Sequence, residues 1–322
     1  AVDIVEAVIV GNTTMHHLVL GVNPKELGGT PFSLAIHGAI DVKARDLGVQ
    51  IAPGGNIHIP PCEAGHVGAD NVGVLVAEAP YEQDERMLII DVGTNGEILL
   101  GNRDQVMSAS SPTGPAFEGA QILHGMRAAD GAMERVRIDP ATLDVRYKII
   151  GQDEWIVSAP VPRTEGSVDE VRDEDSRAVR RRKREELLRP KLRASGICGS
   201  GIIEAIAELF LVGLIRENGR FVQVHHPRLR SGLGNGGGKA EFVLAWADET
   251  TTGQEIVVHS DDIRSIQLAK AALYAGSKLL MQHMGLSEVD RIVLAGGFGS
   301  YIDPKHAMVL GLFPDCELAR VR

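Results

Sequence analysis

The stretch that decides the fold runs from Arg86 to Asn102, RMLIIDVGTNGEILLGN. An apolar run, Met87 to Ile90, ends in Asp91. Gly93-Thr94-Asn95-Gly96 turns the chain, and Glu97-Ile98-Leu99-Leu100 runs back. Asn-Gly between two apolar runs signals a hairpin, because both residues tolerate positive φ. Most hairpins end in solvent and do no chemistry. This one sets an acid at the end of an apolar strand, directly before a loop of small residues. Backbone N–H groups in such a loop can cradle phosphate oxygens. A carboxylate beside them can hold Mg²⁺, directly or through water.

A second stretch, Asp290 to Ile302, reads DRIVLAGGFGSYI. Ile292-Val293-Leu294 has the look of a short buried strand. Ala295-Gly296-Gly297 lets another group approach the backbone closely; the plain alternative is a strand-to-helix turn. Together the two stretches resemble the second lobe of the acetate and sugar kinase, heat-shock chaperone and actin superfamily. The resemblance implies that Asp91, Gly93, Thr94, Asn95 and Gly96 hold phosphates and Mg²⁺. It also implies that Gly296 and Gly297 line adenosine.

Four further stretches narrow the match: Val10-Gly11-Asn12-Thr13-Thr14-Met15-His16-His17-Leu18, Gly114-Pro115-Ala116-Phe117-Glu118-Gly119, Gly196-Ile197-Cys198-Gly199-Ser200-Gly201 and Tyr301-Ile302-Asp303-Pro304. In this order they resemble the C-terminal ATPase domain of the reductive activators of corrinoid proteins. Those are iron–sulfur ATPases also described as ferredoxin-like metal-binding proteins. The resemblance covers nearly the whole chain except a charged insert. It implies an α/β, ribonuclease-H-like (actin-like ATPase) lobe with a mixed central sheet flanked by helices. It further implies ATP and Mg²⁺ as ligands and a corrinoid protein as partner. ATP binding and hydrolysis would drive an uphill one-electron step that restores cobalt(I) from cobalt(II). The electron would come from a [2Fe–2S] cluster in an N-terminal domain outside this chain.

Composition agrees with a soluble globular enzyme, and the cysteine usage with the cytoplasm. The 322 residues suffice for one large domain or two lobes. A net charge of −10 argues against a nucleic-acid footprint. No apolar run is long enough to span a bilayer, and no signal-peptide pattern opens the chain. Cys62, Cys198 and Cys316 are odd in number and far apart, which suits reduced thiols. An iron–sulfur cluster ordinarily takes four cysteines. The chain starts at Ala1 without Met and contains one such hairpin where the superfamily uses two. It therefore reads as a fragment: 1–80 as the end of lobe one with a connecting segment, and 81–322 as lobe two with a charged insert at 160–195.

Other candidates lie along the chain. Ala7 to Val10 reads as a buried strand, with Thr13 or Thr14 capping the next helix. His16-His17 is a poor chelate, since neighbours on a helix point apart. Cys62-Glu63-Ala64-Gly65-His66 lacks the remaining ligands of a zinc site. Gly68-Ala69-Asp70 opens a helix, and in relatives this loop faces the interlobe cleft, which makes Asp70 a second metal candidate. Ser110 to Gly119 is a small-residue loop before a helix at 120–125. Ser111, Thr113 and Gly114 could face phosphate there, and Glu118 could face Mg²⁺ or position water; a structural loop is the even alternative. Ser200 suits the N-cap of the helix that follows. The Gly-rich run ending in Lys239 is followed by Ala240, so it is not a P-loop. On the long helix from Ile263 to Met284, Gln267 and Lys270 share one side. In the superfamily this helix borders the nucleotide, and a Lys here reaches adenosine or ribose.

Two other readings stay open. A small-molecule kinase of the acetate or sugar class would need a substrate pocket and a catalytic group in lobe one. A non-catalytic docking module would bind no nucleotide. Homodimers are common in the superfamily, so a homodimer is an open expectation.

Overall fold

The computed structural model describes residues 3–159, 192–230 and 239–322. Most of the expected charged insert and of the Gly-rich loop therefore lies outside the described residues. The strands in chain order are β1 (Glu6–Val8), β2 (Ile40–Lys43), β3 (Asn56–Ile59), β4 (Met87–Val92), β5 (Gly96–Gly101), β6 (Val106–Ser111), β7 (Ala132–Ile138), β8 (Val145–Ile149), β9 (Ile156–Ser158), β10 (Gly196–Ile197), β11 (Leu229–Arg230), β12 (Glu241–Ala245), β13 (Ile256–His259) and β14 (Arg291–Ala295). The helices are α1 (Thr13–Val19), α2 (Ala69–Glu78), α3 (Gly199–Leu211), α4 (Ser260–His283), α5 (Gly296–Gly299) and α6 (Pro304–Leu310). They fall into two compact units. One holds Ala1–Gly114, Lys270–Pro304 and Gly311–Arg322; the other holds Pro115–Ala269 and Lys305–Leu310. Among the described residues no helix is long and apolar enough to cross a membrane.

The first unit is built on a four-stranded mixed sheet in the order β14-β4-β5-β6. β14 runs parallel to β4, while β4, β5 and β6 form an antiparallel meander. Met87, Leu88, Ile89 and Ile90 are each at most 1% exposed. A strand covered on both faces needs this continuous apolar run rather than alternation. Each such side chain contributes about 1.5–3 kcal/mol by leaving water. On one face Val74 and Leu75 of α2 pack against Met87, Ile89, Leu99 and Val293. On the other lies the C-terminal part of α4, so close that a Cβ on Gly276 would stand 2.7 Å from Ile98 Cδ1.

A smaller sheet, β1-β3-β2, carries the N-terminal part. The expected buried strand at 7–10 is corrected here. β1 covers Glu6–Val8 at the sheet's edge, with Val8 61% and Val10 50% exposed. α1 is capped by Asn12, whose side chain accepts the Met15 N–H, and not by Thr13 or Thr14.

The second unit holds two sheets, β10-β7-β8-β9 and β11-β12-β13. α3 buries Ile202, Ile203, Ile206 and Leu209. Its N-cap is Cys198, and the expected cap Ser200 is buried inside the first turn. The expected helix at 120–125 does not form. A 3₁₀ turn, Pro115–Glu118, precedes Gly119 at φ 82°. Gly125 then approaches so closely that its Cβ would lie 1.8 Å from the Gly119 oxygen.

β10 pairs with β7 only at Ala132 and Met133. Beyond them the same strand meets α3, and two carboxylates complete the ladder. Glu204 accepts the Val136 N–H at 3.0 Å, and Glu208 accepts the Ile138 N–H at 3.0 Å. Glu204 also pairs with Arg135 and Arg137, and Glu208 with His306.

Arg228 is 1% exposed and ties β9 to β12. It donates to the Val243 carbonyl at 3.0 Å and the Ser158 carbonyl at 2.7 Å, and its guanidinium carbon sits 5.2 Å from the Trp246 ring centroid. Burial pulls its pKa down, and the Glu249 charge opposes this. Removing the guanidinium strands buried acceptors. Arg228→Met is expected to lower stability by about 2–4 kcal/mol in urea titration. An unchanged midpoint would mean these bonds contribute nothing.

Candidate functional site

Strand register builds the site. Ala295 lies opposite Asp91, Asp91 opposite Glu97, and Glu97 opposite Ser110. Directly opposed residues share a face, so one row crosses all four strands with two carboxylates at its centre. This is the face that α2 covers, and Asp70 stands in the first turn of α2. A helix N-terminus favours negative charge nearby. Three acids thus meet where the hairpin ends.

Burial dominates the electrostatics of all three. Burial raises the Asp91 carboxyl above its usual range, and the charge of Asp70 adds to it. Burial likewise raises Asp70, with the Asn71 N–H pulling it back. Glu97 is pushed up to about 7, chiefly by burial and then by the charges of Asp70 and Asp91. Only 8% of Glu97 is exposed. The Ser110 hydroxyl reaches it at a long 3.5 Å. Sequence reading missed Glu97, which resembles an ordinary strand residue until the register sets it beside Asp91.

The hairpin loop differs from the expected Asn-Gly turn. Gly93, Thr94 and Asn95 form the connection, and Gly96 already belongs to β5. Neither Asn95 nor Gly96 has positive φ. Gly96 answers a packing demand: a Cβ there would lie 2.1 Å from Leu273 Cδ2. Thr113 braces the loop from behind, its hydroxyl 2.7 Å from the Gly93 carbonyl and 2.8 Å from the Thr94 carbonyl. The Gly114 N–H donates to the Thr94 carbonyl at 2.9 Å. Thr113 and Gly114, expected at the phosphates, pack against the hairpin loop itself. Their donors are engaged by the loop itself and fix its shape.

The two glycines after β14 separate in role. Gly296 has φ 86°, and a Cβ on it would fall 2.0 Å from Asp91 Oδ1. The group that approaches its backbone is the chain's own carboxylate. Around Gly297 a Cβ would meet nothing within 4 Å. Lys270 is half-buried in the same unit, its Nζ 3.5 Å from where a Cβ on Gly311 would stand.

Gln267 and Glu118 belong to the second unit. Gln267 packs on Gly219, where a Cβ would lie 2.4 Å from its Nε2. Glu118 is exposed at the end of its 3₁₀ turn. Asp70 is held by its own neighbourhood: its N–H donates to the Gly11 carbonyl at 3.2 Å, so the Gly11–Asn12 loop lies against the start of α2. The His17 ring nitrogens are occupied by the Thr13 carbonyl and the Ala35 N–H.

Comparison with known proteins adds to this geometry. A family described as the C-terminal domain of RACo, the ASKHA domain, matches residues 85–322, and the RACo middle region matches residues 1–83. The chain is 37% identical over 328 residues to the corrinoid activation enzyme RamQ of Eubacterium limosum, covering 99% of this chain and 48% of that protein. It is 26% identical over 260 residues to the Co(II) methylated amine-specific corrinoid protein reductase of Methanosarcina barkeri, covering 80% of this chain and 40% of that protein. Among solved structures, the reductive activator for corrinoid, iron–sulfur protein superposes with a TM-score of 0.78 at 34% identity. That match covers 99% of this chain and 45% of the activator. The chain spans about half the length of the relatives it matches.

Proposed function

The chain belongs to the family of the RACo C-terminal ASKHA domain, and from that premise we propose that it is the ATP-binding and ATP-hydrolysing part of an activator that returns a cobalt(II) corrinoid protein to cobalt(I). The actin-like ATPase fold is a nucleotide-binding fold. The observation that carries the reading is the row of carboxylates at the hairpin mouth. Three acids whose pKa values burial raises, with the charge of Asp70 adding at Asp91 and at Glu97, suit a divalent cation, whose charge would hold them ionised. We assign Mg²⁺ to Asp91 and Asp70, with Glu97 added from the register.

Gly93, Thr94, Asn95 and Gly96 are assigned to the phosphates, with Thr113 and Gly114 bracing that loop. Gly297, open on its Cβ side, is assigned to adenosine together with Gly296, and Lys270 to the ribose side. When bound, Mg-ATP supplies a hydrolysable phosphoanhydride whose free energy separates two conformations of the activator. This chain binds and aligns; the resemblance assigns the electron source, a [2Fe–2S] cluster, to another domain. The division at residue 80 is supported by the two family matches, which meet between residues 83 and 85.

Calorimetric titration of Mg-ATP into the wild-type protein and into Asp91→Asn tests the assignment. The variant is expected to bind at least about tenfold more weakly, a loss of about 1.4 kcal/mol. Equal binding in both would make the hairpin structural. Binding by neither would make this a docking module.

A further inference from the structure

The sheet β10-β7-β8-β9 has one apolar face and one cationic face. Val136, Ile138, Val145, Tyr147 and Ile149 are buried on the first. On the second, register sets Arg135 opposite Lys148 and Arg137 opposite Arg146. Directly opposed residues project to the same side, so the four cations form two adjacent like-charged pairs. Such pairs destabilise a sheet by up to about 1 kcal/mol each. For Arg135 and Arg137 the fold supplies a reason, the buried carboxylate of Glu204; Arg146 and Lys148 are the cations left for another role.

Part of the charge is held at the edge of β7, where Arg135 and Arg137 share the fully buried Glu204. Trp155, 40% exposed, sits over the rest: the Arg137 guanidinium carbon and the Lys148 ammonium each lie 5.7 Å from its ring centroid. Val157, opposite Arg146, is 45% exposed on the same face. An exposed tryptophan amid arginines is the composition of an interface centre. The whole chain carries a net charge of −10, so this face is a cationic island on an acidic protein.

We infer that this face docks the acidic surface of a protein partner. Opposite charge would relieve the two like-charged pairs, and Trp155 with Val157 would supply apolar contact. Single-stranded nucleic acid also takes cations and aromatic rings, but the field of an acidic chain repels a long polyanion. The inference stands apart from the nucleotide site, so each can fail without the other.

A fluorescein-labelled oligoglutamate peptide, followed by anisotropy at low salt, is the probe. Wild-type protein is expected to bind it saturably, and added salt to weaken the binding. Arg146→Glu/Lys148→Glu is expected to weaken binding at least about fivefold. The same reversal turns both pairs into opposite charges, so its melting temperature is expected to hold or rise, which separates lost binding from lost fold. A control with equal charge change, Lys25→Glu/Arg45→Glu, is expected to bind as wild type. Absent binding, equal binding by the two double variants, or tighter binding of oligothymidylate than of the peptide would each overturn the inference.

Discussion

Gly296→Ala is expected to cost about 2–4 kcal/mol of stability and to weaken Mg-ATP binding together with it. Two independent terms act at this position. A φ of 86° suits glycine, and an L residue held in that region loses roughly 1–2 kcal/mol. The added methyl would also stand 2.0 Å from Asp91 Oδ1, so the carboxylate must move. Moving it breaks the row that joins Ala295, Asp91, Glu97 and Ser110. Gly297→Ala is the internal control, because its Cβ direction is open and alanine favours a helical turn. That variant is expected to keep its urea midpoint and, if adenosine lies there, to lose nucleotide affinity alone. Identical midpoints for Gly296→Ala and wild type would refute the close approach.

Glu97→Gln is expected to stabilise the nucleotide-free protein at pH 8 and leave it unchanged near pH 4.5. Glu97 ionises at about 7 in the fold, against an ordinary value of 4.5. Below the lower value the carboxyl is neutral in both folded and unfolded chains and nothing is lost. Between the two values the unfolded chain releases a proton that the fold retains, so stability falls as pH rises. Above about 7 the loss is complete, on the order of 3 kcal/mol for a carboxyl raised from 4.5 to about 7. Asp70 and Asp91 shift in the same direction, so the three titrate as a coupled group. Mg²⁺ is expected to reverse the order by stabilising the wild type more than the variant. Urea titrations at the two pH values, with chelator and with Mg²⁺, measure all of this. Parallel pH dependence in the two proteins would remove Glu97 from the acid row.

Much of the fold was legible from local pattern. The apolar run Met87–Ile90, the return at Ile98–Leu100, the pair Glu134–Ile138 and Val145–Ile149, and the long helix closing at Gly285 all appear where their periodicity and turn residues set them. What escaped is long-range. Gly96 looked like a turn residue because Asn-Gly usually is one, yet Leu273 decides it from far along the chain. Gly296 announces a close approach, but only the fold shows that Asp91 is one of the groups that makes it. Glu97 gave no signal without register and without the placement of α2. Ser200 is the better capping residue in isolation, but the turn begins one residue after Cys198 and encloses it. The β1 segment has the composition of a core strand and the exposure of an edge. Composition records what a strand can bury, not what covers it.

The flank of β7 carries a last consequence. A bare strand edge offers a row of N–H and C=O groups that another molecule can extend into a continuous ladder, the first step of aggregation and fibril growth. At Val136 and Ile138 those N–H groups are already held by Glu204 and Glu208, side chains of a helix that cannot itself be extended as a strand. The pair of glutamates therefore works as a stopper: it ends the sheet chemically and sets a carboxylate where an incoming backbone would have to dock.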